Sequence, residues 1–80
     1  MDETWQRLTK CFQLVFPGVA QEAIGSASTA TVAAWDSVAA LTLMNVVEEE
    51  FGVEVDFDEL ANLDSFEKFY AYLQKRLQLA

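Results

Sequence analysis

Residues 35–52 read WDSVAALTLMNVVEEEFG, and both ends of this segment carry signals of a helix boundary. Asp36 and Ser37 are residue types that often begin helices, because a short polar side chain can accept a hydrogen bond from the N–H groups of the first turn. Gly52 follows Phe51, and glycine is the residue type that most often ends a helix. The stretch therefore predicts a helix that begins at Asp36 or Ser37 and ends at about Phe51.

The apolar residues of this predicted helix cover more than one side. Leu43 and Val47 recur at helical spacing on one face, whereas Val38 and Leu41 lie with Asn45 on another. A surface helix usually presents a single apolar stripe to the core. We therefore expect this helix to bury one side and to leave a second, partly apolar side for another contact.

A first helix is predicted ahead of this stretch. Asp2 is a plausible N-cap, and apolar residues follow it at spacings of three and four until Pro17 and Gly18 end the helix. This stripe consists of Trp5, Leu8, Phe12 and Val15. Residues 17–35 then form a long loop, in which residues 19–24 are compatible with a helical turn.

Two capping boxes predict two further helices after the stretch. Asp56 with Glu59 begins a short third helix, and Asp64 with Glu67 begins a long last helix that ends in a basic turn at residues 75–76. The apolar residues of the last helix are Phe66, Phe69, Tyr70, Leu73 and Leu77.

The predicted fold class is all-α, a four-helix bundle in a single domain over residues 1–80. It has a long loop between helices 1 and 2, and its short third helix packs across one end. Residues 52–55 are assigned to a connection. The predicted core consists of Trp5, Leu8, Phe12, Val15, Leu43, Val47, Phe51, Phe66, Phe69, Leu73 and Leu77.

The composition excludes several classes of function. The chain of 80 residues has no His and one Cys, which removes the commonest general base, the usual zinc ligand and any internal disulfide. Thirteen acidic against five basic residues give a net charge of −8, so the phosphates of nucleic acids would be repelled. We expect an acidic monomer that is not an enzyme, holds no metal ion and binds basic protein faces.

The sequence also lacks the marks of a membrane or secreted protein. No apolar run approaches the roughly 20 residues that span a bilayer. The start, MDETWQ, has neither the basic region nor the apolar stretch of a signal peptide. We therefore expect a cytoplasmic protein without membrane insertion, in which Cys11 and Trp35 are structural residues.

Ser37 is the candidate residue for chemistry, because it lies at the start of a helix directly after the long loop. A hydroxyl there is exposed, and the unpaired N–H groups and the positive end of the helix dipole favour a phosphate attached to it. The structural alternative is that Ser37, or Asp36 beside it, simply caps the helix.

The spacing between Trp35-Asp36-Ser37-Val38 and the run EEEFG at residues 48–52 resembles the acyl carrier protein family. Length, acidity and helix order extend the resemblance over the whole chain. It implies that Ser37, flanked by Asp36, carries a covalent 4'-phosphopantetheine from coenzyme A. It also implies that an acyl group is held as a thioester on this arm and lies between the second and third predicted helices.

The implied partners are a phosphopantetheinyl transferase and an acyl-activating ligase, ketosynthase or acyltransferase with basic docking faces. Two family positions that are usually acidic are Ala39 and Thr42 in this chain. We therefore predict a specialised fatty acid or polyketide-type pathway rather than general fatty acid synthesis. The predicted partner-binding residues are Val38, Leu41, Asn45, Glu48 and Glu49.

Two alternatives remain open at this point. One is a peptidyl or aryl carrier of a nonribosomal pathway, whose cargo is an amino acid. The other is a helical acidic adaptor that carries no prosthetic group and only binds a basic partner.

Overall fold

The computed structural model describes residues 2–79 of the chain and shows an all-α fold. Its five helices are α1 Glu3–Val15, α2 Gln21–Ile24, α3 Ser37–Phe51, α4 Phe57–Leu60 and α5 Phe66–Leu79. The four predicted helices correspond to α1, α3, α4 and α5, and α2 lies where the long loop was compatible with a helical turn. The all-α prediction is confirmed.

The predicted ends of α1 and α3 are confirmed by their capping geometry. The Asp2 carboxylate accepts a hydrogen bond from the Trp5 N–H at 2.9 Å, and the Asp36 carboxylate accepts one from the Ala39 N–H at 2.9 Å. Gly52 ends α3 in the left-handed conformation with φ 66°, a backbone conformation that is sterically unfavourable for residues with a Cβ.

The predicted cap of α5 is wrong by one residue. The Ser65 hydroxyl, rather than the Asp64 carboxylate, accepts the hydrogen bond from the Lys68 N–H, at 3.2 Å. Asp64 instead forms an ion pair with the Lys68 ammonium at 2.9 Å. The helix starts at Phe66, so Ser65 is the flanking residue whose side chain can reach the first turn.

The cap of α4 follows the prediction only in part. Asp56 is the N-cap, but its carboxylate accepts from the Asp58 N–H at 3.0 Å, and its own N–H donates to the Tyr72 hydroxyl at 3.1 Å. The return contact from Glu59 that a capping box requires is therefore replaced by a hydrogen bond to α5.

The core lies among α1, α3 and α5, as predicted. Eight predicted members are buried, namely Leu8, Phe12, Leu43, Val47, Phe51, Phe66, Phe69 and Leu73. The other three predicted members are only partly buried and pack against its edge: Trp5, Val15 and Leu77. Further buried residues were not in the predicted core set: Cys11, Phe16, Ile24, Ala27, Val32, Trp35, Val55 and Leu63.

Phe12 of α1 lies at the centre of an aromatic cluster. Its ring centroid is 5.1 Å from that of Phe66, 5.9 Å from that of Phe69 and 5.4 Å from that of Trp35, with the rings edge to face. Edge-to-face pairs add stabilisation beyond the burial of area. Trp35 is thus fixed in the core two residues before Ser37, and its predicted structural role is confirmed.

The loop between α2 and α3 is attached to the start of α5 by backbone hydrogen bonds. The Thr29 N–H donates to the Asp64 carbonyl at 3.0 Å, and the Phe66 N–H donates to the Ala27 carbonyl at 2.9 Å. Together these bonds form a short antiparallel bridge at Ser28 and Ser65. They hold the loop that leads to Ser37 close to the segment that joins α4 to α5.

Arg7 joins α1 to the end of α3. Its guanidinium lies 2.6 Å from the Glu50 carboxylate, donates to the Glu50 carbonyl and stacks 4.6 Å over the Phe51 ring. A helix C-terminus leaves its last carbonyls without partners, so this contact satisfies one of them. Among residues 2–79, no helix has the length and apolar character that would let it cross a membrane.

Candidate functional site

Ser37 is the first residue of α3, and its side chain is exposed. The capping role that competes for this position is taken by Asp36, whose carboxylate binds the Ala39 N–H and whose carbonyl accepts from the Ala40 N–H at 2.9 Å. The N–H groups of Ser37 and Val38 then have no acceptor among the described residues. The Ser37 hydroxyl is therefore not needed as a cap and lies beside two free backbone donors.

A cavity of about 390 Å³ opens next to Ser37, between the first two turns of α3 and the short helix α4. Ser37, Ala40 and Leu41 form the wall on α3. The opposite wall comes from α4 and the residues that follow it: Phe57, Leu60, Ala61, Leu63 and Asp64. Apart from its rim, this lining is apolar, so an aliphatic group inside would be shielded from water.

The residues predicted to bind partners lie along α3 but differ in their surroundings. Val38 and Leu41 are exposed next to Ser37, and Asn45 and Glu49 are exposed further along the helix. Glu48 is half-buried, and its carboxylate accepts a hydrogen bond from the Val55 N–H at 2.8 Å. Glu48 thus has a structural role in the connection between α3 and α4.

The rim of the cavity carries carboxylates. Asp36 and Asp64 line the cavity, and no Lys or Arg of residues 2–79 forms an ion pair with Asp36. Asp64 forms an ion pair with the Lys68 ammonium at 2.9 Å. One of the two carboxylates at the cavity, that of Asp36, therefore has no ion-pair partner among residues 2–79, and such a charge favours contact with basic surfaces.

The titratable groups with shifted pKa values lie away from this cavity. Burial raises the pKa of the Cys11 thiol to about 11, with a further contribution from the Glu50 carboxylate. The Tyr70 hydroxyl donates to the Asp2 carboxylate, which lowers the pKa of Asp2 and raises that of Tyr70. Cys11 is buried in the core, as expected for a structural residue, and its thiol stays protonated at neutral pH.

Sequence reasoning missed the contribution of α4 to the site. Phe57 was recognised only as part of a capping box, yet its ring lines the mouth of the cavity and remains largely exposed. Leu63 was not in the predicted core set, yet it is buried at the cavity floor. The available signal was an aromatic residue at the first position of a short helix, where a polar residue would serve the cap equally well.

Comparisons with known proteins identify one family. A family model described as "Phosphopantetheine attachment site" matches residues 6–73, the greater part of the chain. No curated protein and no solved structure matches the chain.

Proposed function

Since the chain belongs to the phosphopantetheine-attachment family, we propose that Ser37 is its attachment residue. Members of this family are carriers rather than catalysts, and they hold 4'-phosphopantetheine covalently. One observation carries this proposal. Ser37 is the exposed first residue of α3 and lines an apolar cavity of about 390 Å³, and its hydroxyl is free because Asp36 caps the helix.

The residues around Ser37 fit a phosphodiester arm. The free N–H groups of Ser37 and Val38 lie at the positive end of the α3 dipole, where a phosphate is stabilised. In the transfer, the Ser37 oxygen attacks the phosphorus that bears the pantetheine, the diphosphate P–O bond of coenzyme A breaks, adenosine 3',5'-bisphosphate leaves, and the hydroxyl proton passes to a base of the phosphopantetheinyl transferase. A metal ion bound by the transferase would neutralise the diphosphate. The arm supplies the terminal thiol that holds the cargo as a thioester.

We assign an acyl cargo to this arm, in a specialised fatty acid or polyketide-type pathway. The cavity between α3 and α4 supports an aliphatic cargo because Ala40, Leu41, Leu60 and Leu63 line it. A charged aminoacyl group would lose hydration there without gaining a partner, which makes a peptidyl carrier the second candidate.

The absence of charge on the first turns of α3 supports partners other than those of general fatty acid synthesis. Ala39 and Thr42 stand where the resembling family usually has acids, and the neighbouring Val38 and Leu41 are exposed. We assign partner recognition to Val38, Leu41 and Asn45, with Glu49 as an outer charge. Faster modification by a transferase restricted to fatty acid carriers than by a broad-specificity transferase would contradict this assignment.

The attachment residue is tested by coexpression with a broad-specificity transferase, followed by intact mass measurement. The wild-type chain should gain one phosphopantetheine, and Ser37→Ala should gain none. Ser26→Ala is the matched control, because Ser26 is exposed in the preceding loop and its hydroxyl only donates to the Ala23 carbonyl at 3.1 Å. Modification of Ser37→Ala would show that another side chain carries the arm and would overturn the assignment. No mass gain in the wild type would also overturn it and would favour the adaptor.

The cargo is tested by loading the arm with an octanoyl or an aminoacyl group and following hydrolysis of the thioester. We expect the octanoyl thioester to persist longer. Ala40→Leu, which places a larger side chain in the cavity wall, should shorten the octanoyl lifetime and leave an acetyl thioester unchanged. Equal lifetimes of both cargoes in wild type and Ala40→Leu would favour the peptidyl carrier.

A further inference from the structure

Among residues 2–78, four large apolar side chains are strongly exposed. Leu14 is 74%, Val38 71%, Phe57 67% and Leu41 39% exposed. Three of them lie together, because Leu41 and Phe57 line the mouth of the Ser37 cavity and Val38 follows Ser37 in the first turn of α3. Leu14 lies on α1, in a separate groove that shares no residue with this cavity.

Folding does not account for the exposed ring of Phe57. The start of α4 is capped by the Asp56 carboxylate, and the Asp56 N–H is bound by the Tyr72 hydroxyl of α5. The residue of α4 that packs against the core is Leu60. An aromatic ring left in water gains little for stability, whereas aromatic residues often dominate the energetics of protein interfaces.

We propose that Phe57 is a further binding contact for the phosphopantetheinyl transferase, in addition to the partner-binding residues of α3, an inference that rests on the proposed role of Ser37. An enzyme that forms a bond to the Ser37 oxygen must bring its surface onto the mouth of the cavity. Phe57 and Leu41 line that cavity together with Asp36, and the exposed Asp58 follows Phe57 in α4. The transferase face that fits has an apolar centre for Phe57 and basic residues at its rim.

This arrangement assigns different roles to the two components of the surface. Burial of the Phe57 ring contributes affinity at the centre of the interface, where water is excluded. The rim carboxylates act at longer range and mainly change the rate of encounter, so their effect falls with added salt. Loss of the ring should therefore weaken binding at all salt concentrations.

The test measures steady-state transfer from coenzyme A to the purified chain by a broad-specificity phosphopantetheinyl transferase. For Phe57→Ala we expect the KM of the carrier to rise at least about tenfold, which corresponds to about 1.4 kcal/mol of binding free energy, with kcat nearly unchanged. The rise should be the same at low and high salt. Phe57→Leu, which keeps an apolar side chain, should recover part of the loss.

Leu14→Ala is the matched control, because Leu14 is as exposed as Phe57 but remote from Ser37. Its KM should equal that of the wild type. Circular dichroism and thermal melting test whether the variants are folded. If Phe57→Ala is not folded, the KM of Phe57→Leu alone tests the inference. An unchanged KM for both Phe57 variants would overturn the inference, as would an equal rise for Leu14→Ala.

The outcomes separate this inference from the function on which it rests. If no variant and no wild-type chain gains the arm, the role of Ser37 is wrong. If all are modified with equal KM, Ser37 stands and the role of Phe57 is wrong. If KM is unchanged but Phe57→Ala shortens the lifetime of an octanoyl thioester, Phe57 covers the cargo instead, and the inference is also overturned.

Discussion

Replacement of Gly25 by alanine should destabilise the fold, because a Trp5 ring occupies the space that a Cβ would need. A Cβ built at Gly25 lies 2.9 Å from Cζ2 and 3.4 Å from Cη2 of Trp5, whereas carbon atoms in contact are separated by about 3.5–4.0 Å. The ring cannot easily retreat, since its centroid is 4.7 Å from that of Phe66 and 5.0 Å from that of Tyr70.

The magnitude follows from two opposing effects at Gly25. Its backbone is helical, with φ −61° and ψ −22°, so alanine alone would stabilise by about 0.4–1 kcal/mol through the unfolded chain. Overpacking against Trp5 costs about 1–3 kcal/mol. The clash should win, and for a domain of this size each kcal/mol lowers Tm by about 4–8 °C.

Thermal melting and urea unfolding measure this difference against Gly18→Ala as the control. A Cβ at Gly18 meets nothing within 4 Å, so that variant should be as stable as the wild type or slightly more stable. In a chain that also carries Trp5→Leu, Gly25→Ala should lose its penalty. If Gly25→Ala melts no lower than Gly18→Ala, or keeps its penalty without the tryptophan, the steric argument is wrong.

Three further predictions concern the helix ends and the buried thiol. Gly52→Ala should lower the free energy of unfolding in urea by about 1 kcal/mol, and Gly52→Asn should lower it by less. The cost comes from the backbone alone, because φ is 66° at this position and nothing lies within 4 Å of a Cβ. Equal stability of the two variants would contradict this reasoning. Ser65→Ala should lower the free energy of unfolding by about 1 kcal/mol, and Asp64→Ala by less than half of that, since the cap hydrogen bond outweighs an exposed ion pair. A larger loss of stability in Asp64→Ala than in Ser65→Ala would show that Asp64 is the cap. The raised pKa of Cys11, about 11 against 9.0, means that the unfolded chain releases the thiol proton first. The contribution of the protonated Cys11 thiol to the free energy of unfolding is therefore complete below pH 9 and falls as the pH rises towards 11. The raised pKa of Tyr70 adds the same trend, so the comparison is made in a Tyr70→Phe background. In that background, Cys11→Ala should lose less stability at alkaline pH than the chain that keeps Cys11.

The helices could be predicted from the sequence because their signals are local. Asp36 and Gly52 bracket α3 through contacts with residues no more than four positions away, and such contacts depend little on the rest of the fold. The predicted cap of α5 was wrong by one residue because Asp64 and Ser65 are both good N-cap residues. Only the position of the neighbouring loop, which binds the Asp64 carbonyl, distinguishes them.

The buried residues of the loops could not be predicted in the same way. Ile24, Val32 and Leu63 lie in segments without a sustained period, so no spacing indicates which side of the chain faces inward. Their burial follows from hydrogen bonds between distant segments, such as that from the Phe66 N–H to the Ala27 carbonyl. The position of Ser37 could be predicted, because it depends on the start of one helix, whereas the cavity beside it depends on how two helices meet.

The length of α4 explains both the cavity and the exposure of Phe57. A helix of four residues is about 6 Å long, whereas the 15 residues of α3 extend over about 22 Å. Such a short helix cannot cover the second apolar side of α3, so a gap remains between Ser37 and Leu63. A longer α4 would bury Leu41 and stabilise the bundle, but it would also close the space next to the Ser37 hydroxyl. The exposed apolar side of α3 is therefore a cost in folding that a carrier recovers when a cargo or an enzyme covers it.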